Sequence, residues 1–423
     1  MPKLGKPVLS LLLFILLISF FSSQTSAKEF DSLEQTINFA LQNSPNIAAL
    51  QARYMAMSKI PSQKAALPEP RLAINAVNLP IDSFALNQTP MSQIQLGISQ
   101  MLPFPGKLSL SQQSAKQEAN AAESNIQNAR RQLKLHISRL WWQMFYLEKA
   151  LVTINHNSEL LKQFVDIAQT KYQIGQGQQQ DVLLAQVEAN RLLDTESKLL
   201  SQRNAVQAKI NSLTGRKQNQ TIRISPIISE QLPKIDQTKL DYLLAEKQRP
   251  DFIQKRAKIQ AAKIRVDLAK KTYYPDFKLG AVYGWREAET DFASVLFSMN
   301  LPINTTNRQD SLRDQRNQEL LQQKYRMQDM RNNLAAEINT ALFNYQQAKK
   351  QSTIYKNNIL PQSQQTVDAM LAGYQVNKVD FLNLIRSQMT FFNYETQYWQ
   401  ALSIAKQALA ELNAAMGQEL EYE

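Results

Sequence analysis

The sequence predicts a mainly α-helical protein with a small β part. Its unit is a helix, two strands, one very long helix, a turn and a returning helix, and that unit occurs twice. Three observations predict it. Residues 107–174 run for 68 positions with neither proline nor glycine. Short segments of strict two-residue alternation precede this run and its later counterpart. Tyr172-Gln173-Ile174 returns 202 positions later as Tyr374-Gln375-Val376.

From that match the register holds without a gap. Gln186 falls on Gln388, Leu200 on Leu402, Asn211 on Asn413 and Gly215 on Gly417. Upstream, with small shifts, Ser44-Pro45 matches Arg249-Pro250, Leu67-Pro68 matches Tyr274-Pro275, and Leu102-Pro103 matches Leu301-Pro302. Residues 28–215 and 236–423 are therefore read as two copies. The polar stretch 216–235, with Pro226 and Pro233, is the linker.

The first 27 residues stand apart. Lys3 and Lys6 precede an apolar run from Val8 to Phe21, followed by Ser22, Ser23, Gln24, Thr25, Ser26 and Ala27. That is the layout of a cleaved signal peptide, 1–27, with Thr25 and Ala27 at the −3 and −1 positions. The run is shorter than the ~20 residues a spanning helix needs. Its removal takes the formal net charge from +12 to +10. No later apolar run reaches spanning length, so membrane insertion of this exported chain has to use strands.

Within the first copy, Leu33, Ile37, Ala40 and Leu41 line one face of a helix over Ser32 to Asn43. Pro45 opens a second helix, expected to run to about Leu67, where Pro68 and Pro70 stop it. Residues 71–78 and 92–102 follow as strands. In the second of them Ile94, Leu96 and Ile98 alternate with Gln93, Gln95, Gly97 and Ser99. In the second copy Phe277, Leu279, Ala281, Tyr283 and Trp285 alternate with Lys278, Gly280, Val282 and Gly284. Its partner strand sets Ala293, Val295, Phe297, Met299 and Leu301 against Ser294, Ser298 and Asn300. Strands of this length with one apolar face suit a membrane barrel. A soluble antiparallel sheet alternates in the same way.

The helices decide between the two. At 1.5 Å per residue, 68 residues make roughly 100 Å of helix, against an average of ~12 residues in globular proteins. The counterpart, from about Arg308 to Tyr374, contains only Pro361 and Gly373 as interruptions. Helices this long belong to a coiled coil or a tube of helices. After the turn, Ile385, Met389, Phe392, Trp399, Leu402, Leu409 and Leu412 step by threes, fours and sevens, interrupted by Thr396, and are read as core. Four strands cannot close a membrane barrel, for which about eight is the minimum. Open edges are not tolerated in lipid. Several copies must therefore share one barrel.

This organisation resembles the TolC family of outer-membrane efflux ducts over essentially the whole mature chain. The residues that carry the resemblance are Leu102-Pro103-Phe104-Pro105-Gly106-Lys107, Leu301-Pro302, and the turns at Tyr172 and Tyr374. The Pro-Phe-Pro-Gly-Lys variant is similar to the branch serving heavy-metal efflux pumps. The resemblance implies a homotrimer whose twelve strands, four per protomer, form a barrel in outer-membrane lipid. That barrel continues into a twelve-helix α-barrel through the periplasm. The implied partners are a periplasmic adaptor, or membrane fusion protein, and an inner-membrane pump of the resistance-nodulation-division type. The function it implies is the exit duct of a tripartite efflux pump.

The resemblance also points to sites. Ile174-Gly175-Gln176 and Val376-Asn377-Lys378 stand where the family has its adaptor-docking tips. Gly, and next best Asn, accept a left-handed backbone, so both triplets suit a tight turn between helices. Asn377 replaces the usual glycine, and Gln176 and Lys378 stand where small or apolar residues are usual. Asp181 and Tyr374 match gate positions at which a carboxylate accepts a phenolic hydrogen bond. Asn383 and Arg386 occupy constriction positions that are often acidic, so an acidic ring is not expected here.

Composition sets the exclusions. With no Cys there are no disulfides or thiolate metal sites, and His136 and His156 are the only histidines. No metal site, cofactor or catalytic constellation is expected, and the chain is read as no enzyme. The basic charge is interleaved with Asp and Glu, which argues against a nucleic-acid partner. A periplasmic coiled-coil adaptor or scaffold is the alternative reading. It would carry one hairpin and glycine-rich β-domains, whereas this chain has two hairpins and 10 Gly.

Overall fold

Proline and capping residues partition the chain before any tertiary contact does. The computed structural model describes residues 32–224, 229–237, 240–287 and 289–417. The expected signal peptide and Pro226 lie outside these residues. Ser32 accepts from the Gln35 N–H and starts α1 (Leu33–Asn43); Ser44 accepts from Ile47 and starts α2 (Pro45–Met57). The second helix does not run unbroken to Leu67. Pro61 has no N–H to return to the Met57 carbonyl, so α2 stops there and α3 (Ile60–Ala65) restarts with proline in its first turn. Then come β1 (Arg71–Val77), β2 (Gln93–Leu102), α4 (Lys107–Gln173) and α5 (Gln179–Thr214).

The second half repeats the order with α6 (Tyr242–Gln248), α7 (Pro250–Lys271), β3 (Phe277–Trp285) and β4 (Phe292–Met299). The last strand ends two residues before the expected Leu301. A π-helical turn, Thr306–Asp310, leads into α8 (Ser311–Ile354). A second π turn, Tyr355–Ile359, joins α8 to α9 (Leu360–Gln375), and α10 (Phe381–Met416) returns. Pro361 therefore does not end the long helix. The wider π turn lies just ahead of the proline, where a regular helix would lack the bond to Asn357, and the path continues.

The four strands form one antiparallel sheet in the order β1-β2-β3-β4. The β2–β3 pairing joins the two halves, with Leu96 opposite Tyr283 and Ile98 opposite Ala281. Register then sorts the faces. Leu72, Ile98, Ala281 and Val295 form one row across the sheet, and Ile74, Leu96, Tyr283 and Ala293 the next. The other face carries Ala73, Gly97, Val282 and Ser294 in one row, with Asn75, Gln95 and Gly284 beside it. The apolar face is bare: Leu72, Ile74 and Val295 are 70%, 72% and 86% exposed. Strands β1 and β4 each have a pairing partner on one side only.

The helices hang from the sheet as a row. Next to the sheet, α2 and α3 lie beside α4, α4 beside α7, and α7 beside α8. Farther away, α10 sits between α4 and α8–α9, while α5 takes the other side of α4. Helix α5 buries Ala185, Leu192, Leu199 and Val206, and α4 buries Leu140, Leu147, Ile154, Leu161 and Ala168, all seven apart and all in one core cluster. On α10, Ile385, Phe392, Leu402, Leu409 and Leu412 are buried as expected, with Met389 and Trp399 partly so.

Two polar knots fix the joints. At the sheet, Asp276 Oδ1 accepts from the Phe104 N–H and from Lys107 Nζ, both at 2.7 Å. Phe104 stacks on Tyr274 with ring centroids 4.5 Å apart. The Pro103-Phe104-Pro105-Gly106-Lys107 motif is thus the point where the first half is tied to the second. At the equator, Arg249 donates to both oxygens of Asp251, at 3.1 and 2.7 Å, to Glu337 at 2.7 Å and to the Ala415 carbonyl at 3.2 Å. Burial pushes the Asp251 carboxyl up, but hydrogen bonds and charge from Arg249 outweigh it and hold the group below its usual range.

The stretch expected to be a plain linker is strapped across one face of the row. Ile222 is fully buried, and its N–H donates to Gln207 on α5. Glu230 accepts from Tyr398 on α10 and from Lys356, both at 2.6 Å. The Pro233 carbonyl accepts from Tyr345 and Lys349 on α8.

Arg249→Ala takes from the half-buried Asp251 its two closest hydrogen bonds, leaves Arg131 at 3.6 Å as its remaining cation, and frees the exposed Glu337. The expected cost is about 1–3 kcal/mol, read as a drop in the thermal midpoint of the helical circular-dichroism signal, whereas Arg139→Ala, which breaks a more exposed pair with Glu411, costs ~1 kcal/mol or less.

Candidate functional site

The ends of the two helical hairpins farthest from the sheet are built to one plan. At the end of α4, Gln176 N–H donates to the Lys171 carbonyl at 2.8 Å and Gly175 N–H to Tyr172 at 3.1 Å. At the end of α9, Lys378 N–H donates to Gly373 at 2.9 Å and Asn377 N–H to Tyr374 at 3.1 Å. Each is the six-to-one closure of a left-handed helix cap. Gly175 has φ +74° and Asn377 φ +59°, so both residues chosen for a left-handed backbone adopt one.

Glycine also lets the chain cross itself closely here. A Cβ on Gly177 would lie 2.9 Å from Lys171 Cβ, and one on Gly373 would lie 2.5 Å from Val379 Cγ2. Lys171 and Gly373 are equivalent by the 202-residue offset, as are Gly177 and Val379. Each turn therefore keeps one glycine in the same contact, on opposite sides of it.

Ile174 and Val376 point outward at the tips, 61% and 62% exposed, and Gly175, Gln176, Asn377 and Lys378 are exposed with them. Together they make a small surface with two apolar residues at equivalent places, rimmed by amides and one lysine.

Lys171, which the sequence did not single out, connects the two turns. Its Nζ donates to the Tyr374 carbonyl and to Asn377 Oδ1, both at 2.6 Å, and lies 4.4 Å from the centre of the Tyr374 ring. Asn377 thus does two jobs that glycine cannot combine: it takes the left-handed backbone and it offers an acceptor to the neighbouring hairpin. The available signal was the offset itself, which puts a lysine in the first copy where the second has Gly373.

The expected Asp181–Tyr374 hydrogen bond is not formed within the chain. The Tyr374 hydroxyl is buried without a partner among the described residues, and the ring packs on Phe381 at 5.1 Å. Burial first, and then the Asp181 charge, raise the Tyr374 pKa. Asp181, in the first turn of α5, is itself raised, chiefly by burial and further by Asp380, against a backbone hydrogen bond from its own turn. Tyr374 thus feels the Asp181 charge without bonding to it.

Asn383 and Arg386 are exposed on α10. Along that helix Tyr398 and Leu402 face the strap. Arg386, Asn393 and Gln400, seven apart and all exposed, lie roughly 120–160° round from Tyr398 at 100° per residue. They form a polar stripe on the side of the row away from the strap. Behind it, the buried pair Asn157 and Gln388 bonds α4 to α10 at 2.6 Å and fixes their register.

Among the described residues no helix is long and apolar enough to cross a membrane. A bare apolar sheet carrying a helix roughly 100 Å long makes this an elongated, mainly helical protein with a small antiparallel sheet at one end. The family model "Outer membrane efflux protein" matches residues 36–216 and 242–418. The chain belongs to that family, and it is an outer-membrane exit duct for efflux that extends into the periplasm. Its fold is similar to that of CusC (TM-score 0.80, 15% identity, 94% of this chain and 96% of that one). It is also similar to VceC from Vibrio cholerae (0.77, 18%, 92% and 97%), and to MtrE from Neisseria gonorrhoeae, solved in an open state (0.73, 16%, 92% and 90%). Among curated proteins none matches the sequence.

Two outcomes are expected at the tip. Asn377→Ala costs about 1–2 kcal/mol from the left-handed backbone alone, while Asn377→Gly restores the backbone but not the bond to Lys171. Hydrogen exchange at residues 374–380 should rank wild type slowest, Asn377→Gly next and Asn377→Ala fastest. Because Asp181 is raised in the folded state, its protonated form favours the packed tip, and that stabilisation is lost as pH rises through the folded pKa. Asp181→Asn should therefore protect the tip relative to wild type at neutral pH, with the difference vanishing on acidification when both are compared at the same pH.

Proposed function

We propose that three copies of this chain close into one duct: a twelve-stranded barrel in the outer membrane continued by an α-barrel of twelve helices. The observation that carries this reading is the sheet. Its outward face is apolar and uncovered, and its two edge strands lack a partner, a combination that lipid tolerates only when neighbours close the ring. With an even number of strands per copy, β4 of one protomer meets β1 of the next antiparallel. The helix row has matching open sides, with Leu183, Val187 and Leu193 exposed on α5 and Phe343 and Ile354 on α8.

We read the chain as two copies, 28–215 and 236–423, behind a cleaved signal peptide at 1–27, with 216–235 linking them. The tips Ile174, Gly175, Gln176, Val376, Asn377 and Lys378 are proposed to dock a periplasmic adaptor of the membrane fusion class. Their exposed, helix-terminated apolar pair suits a helical hairpin partner. An inner-membrane pump of the resistance-nodulation-division type would complete the path.

Asp181, Tyr374, Asn383 and Arg386 are proposed to form the gate. The unpartnered Tyr374 hydroxyl supports a latch completed by a neighbouring protomer rather than within one chain. Lys171 joins these residues as the contact that holds the two tips of one protomer together. The polar stripe on α10 is read as luminal because it lies away from the strap, which makes three Arg386 guanidiniums a cationic ring at the narrowest point.

Membrane fractionation tests the assembly: a heat-sensitive trimer in the outer membrane is expected, and a soluble monomer contradicts it. Arg386→Asp should raise cation conductance in planar bilayers and shift selectivity toward cations; unchanged conductance and selectivity would exclude a luminal role.

A further inference from the structure

Strands β1 to β4 carry only two charged residues, Arg71 and Lys278, and both are cations. Register puts them on the same face. Arg71 lies opposite Ser99, which lies opposite Gly280, and Lys278 stands two positions from Gly280 with Met101 and Ser298 beside it. That is the face of Asn75, Gln95 and Ser294, not the face of Leu72, Ile98 and Val295. The two levels are about 7 Å apart along the strand. Both residues sit near the starts of their strands, at the end of the sheet nearer the helices.

Neither charge is spent within the chain. Arg71 is exposed and Lys278 half-buried, and neither makes a side-chain hydrogen bond or ion pair among the described residues. The carboxylates nearest in sequence stand outside the strands. Asp276 is occupied by Lys107 Nζ and the Phe104 N–H. Glu69, exposed just before β1, makes no ion pair with Arg71. At the far end of the sheet Asp291 is held by the Arg286 N–H and the Tyr283 hydroxyl, and Asp82, Glu287 and Glu289 lie in loops beyond the strands.

In the proposed twelve-stranded barrel, on which this inference rests, the polar face is the wall of the pore. We propose that Arg71 and Lys278 of the three protomers form a cationic collar inside the barrel, which selects for anionic cargo and against divalent metal cations. Twelve strands about 4.8 Å apart and tilted about 40° enclose a backbone radius of roughly 12 Å. The charged heads reach inward from that wall, so the axis lies within about one Debye length of them, ~8 Å at physiological salt. The collar therefore acts on every solute that passes, not only on those touching the wall. Rings of Arg and Lys are a known means by which pores pass anions. The collar is separate from Arg386, which lies on α10 away from the sheet.

Planar bilayers test this with the purified full-length protein in a tenfold KCl gradient. Wild type should favour chloride over potassium severalfold. Arg71→Gln combined with Lys278→Gln should bring that ratio close to one, with Arg386 left in place. The chain contains no cysteine, so Lys278→Cys allows the charge to be rebuilt at one position. An aminoethyl thiosulfonate should restore the chloride preference that this variant loses, and a sulfonatoethyl thiosulfonate should lower it further. Wild-type channels that favour potassium, or a chloride preference unmoved by the double substitution, would overturn the collar while leaving the barrel intact. Thiosulfonates without effect on Lys278→Cys would place that residue off the pore wall and overturn the collar in the same way. A protein that opens no channel would overturn the barrel and the collar with it.

Discussion

Everything in this molecule follows from backbone groups that have nowhere to go. Strands β1 and β4 each present a ladder of N–H and C=O groups on one side, beside an apolar face that water cannot accept at that size. In lipid each unmet group costs several kcal/mol. A single chain offers four strands, too few to curl into a barrel of its own. The sheet therefore demands neighbours, and the proposed trimer is the arrangement that also suits the open sides of the helix row. In the proposed assembly each strand pair feeds directly into a helix path that leaves the membrane and stays in register with its neighbours.

The long helices keep that register through means suited to their length. A seven-residue repeat along α4 and α5 holds one seam, and the buried Asn157–Gln388 pair marks a single permitted alignment on the other. The joints are polar where the seams are apolar. Asp276 clamps the sheet to the head of α4, and Arg249 gathers α7, α8 and the end of α10. Between them the strap crosses the row once and distinguishes its two sides. That asymmetry allows Arg386 to be read as facing a lumen.

Much of this was legible in the residues, and the limits of legibility have physical causes. Two-residue alternation foretold β2, β3 and β4 and their apolar faces, because period and burial are directly coupled in a strand. The absence of proline and glycine foretold α4 almost to the residue. The left-handed turns at Gly175 and Asn377 were readable because few residue types tolerate that backbone. What failed were single prolines and long-range pairs. Pro61 ended a helix while Pro361 was absorbed by a π turn, and nothing local distinguishes the two. The strap read as polar linker because Ile222 and Glu230 acquire their roles only against α5 and α10. Lys171, Arg249 and Asp276 are ordinary surface-type residues until the fold brings a carbonyl, a carboxylate or a peptide N–H to each.

The most direct measurement is the closure of the ring at its edges. In this cysteine-free chain, Ser294→Cys on β4 can be combined in turn with Ala73→Cys, Asn75→Cys or Val77→Cys on β1, all on the polar face of the sheet. Oxidation in outer-membrane vesicles should, for at least one pair, convert the chain into covalent trimers with no larger species. Monomers and intramolecular products alone for every pair, or a ladder that runs past three, would contradict a closed twelve-stranded barrel.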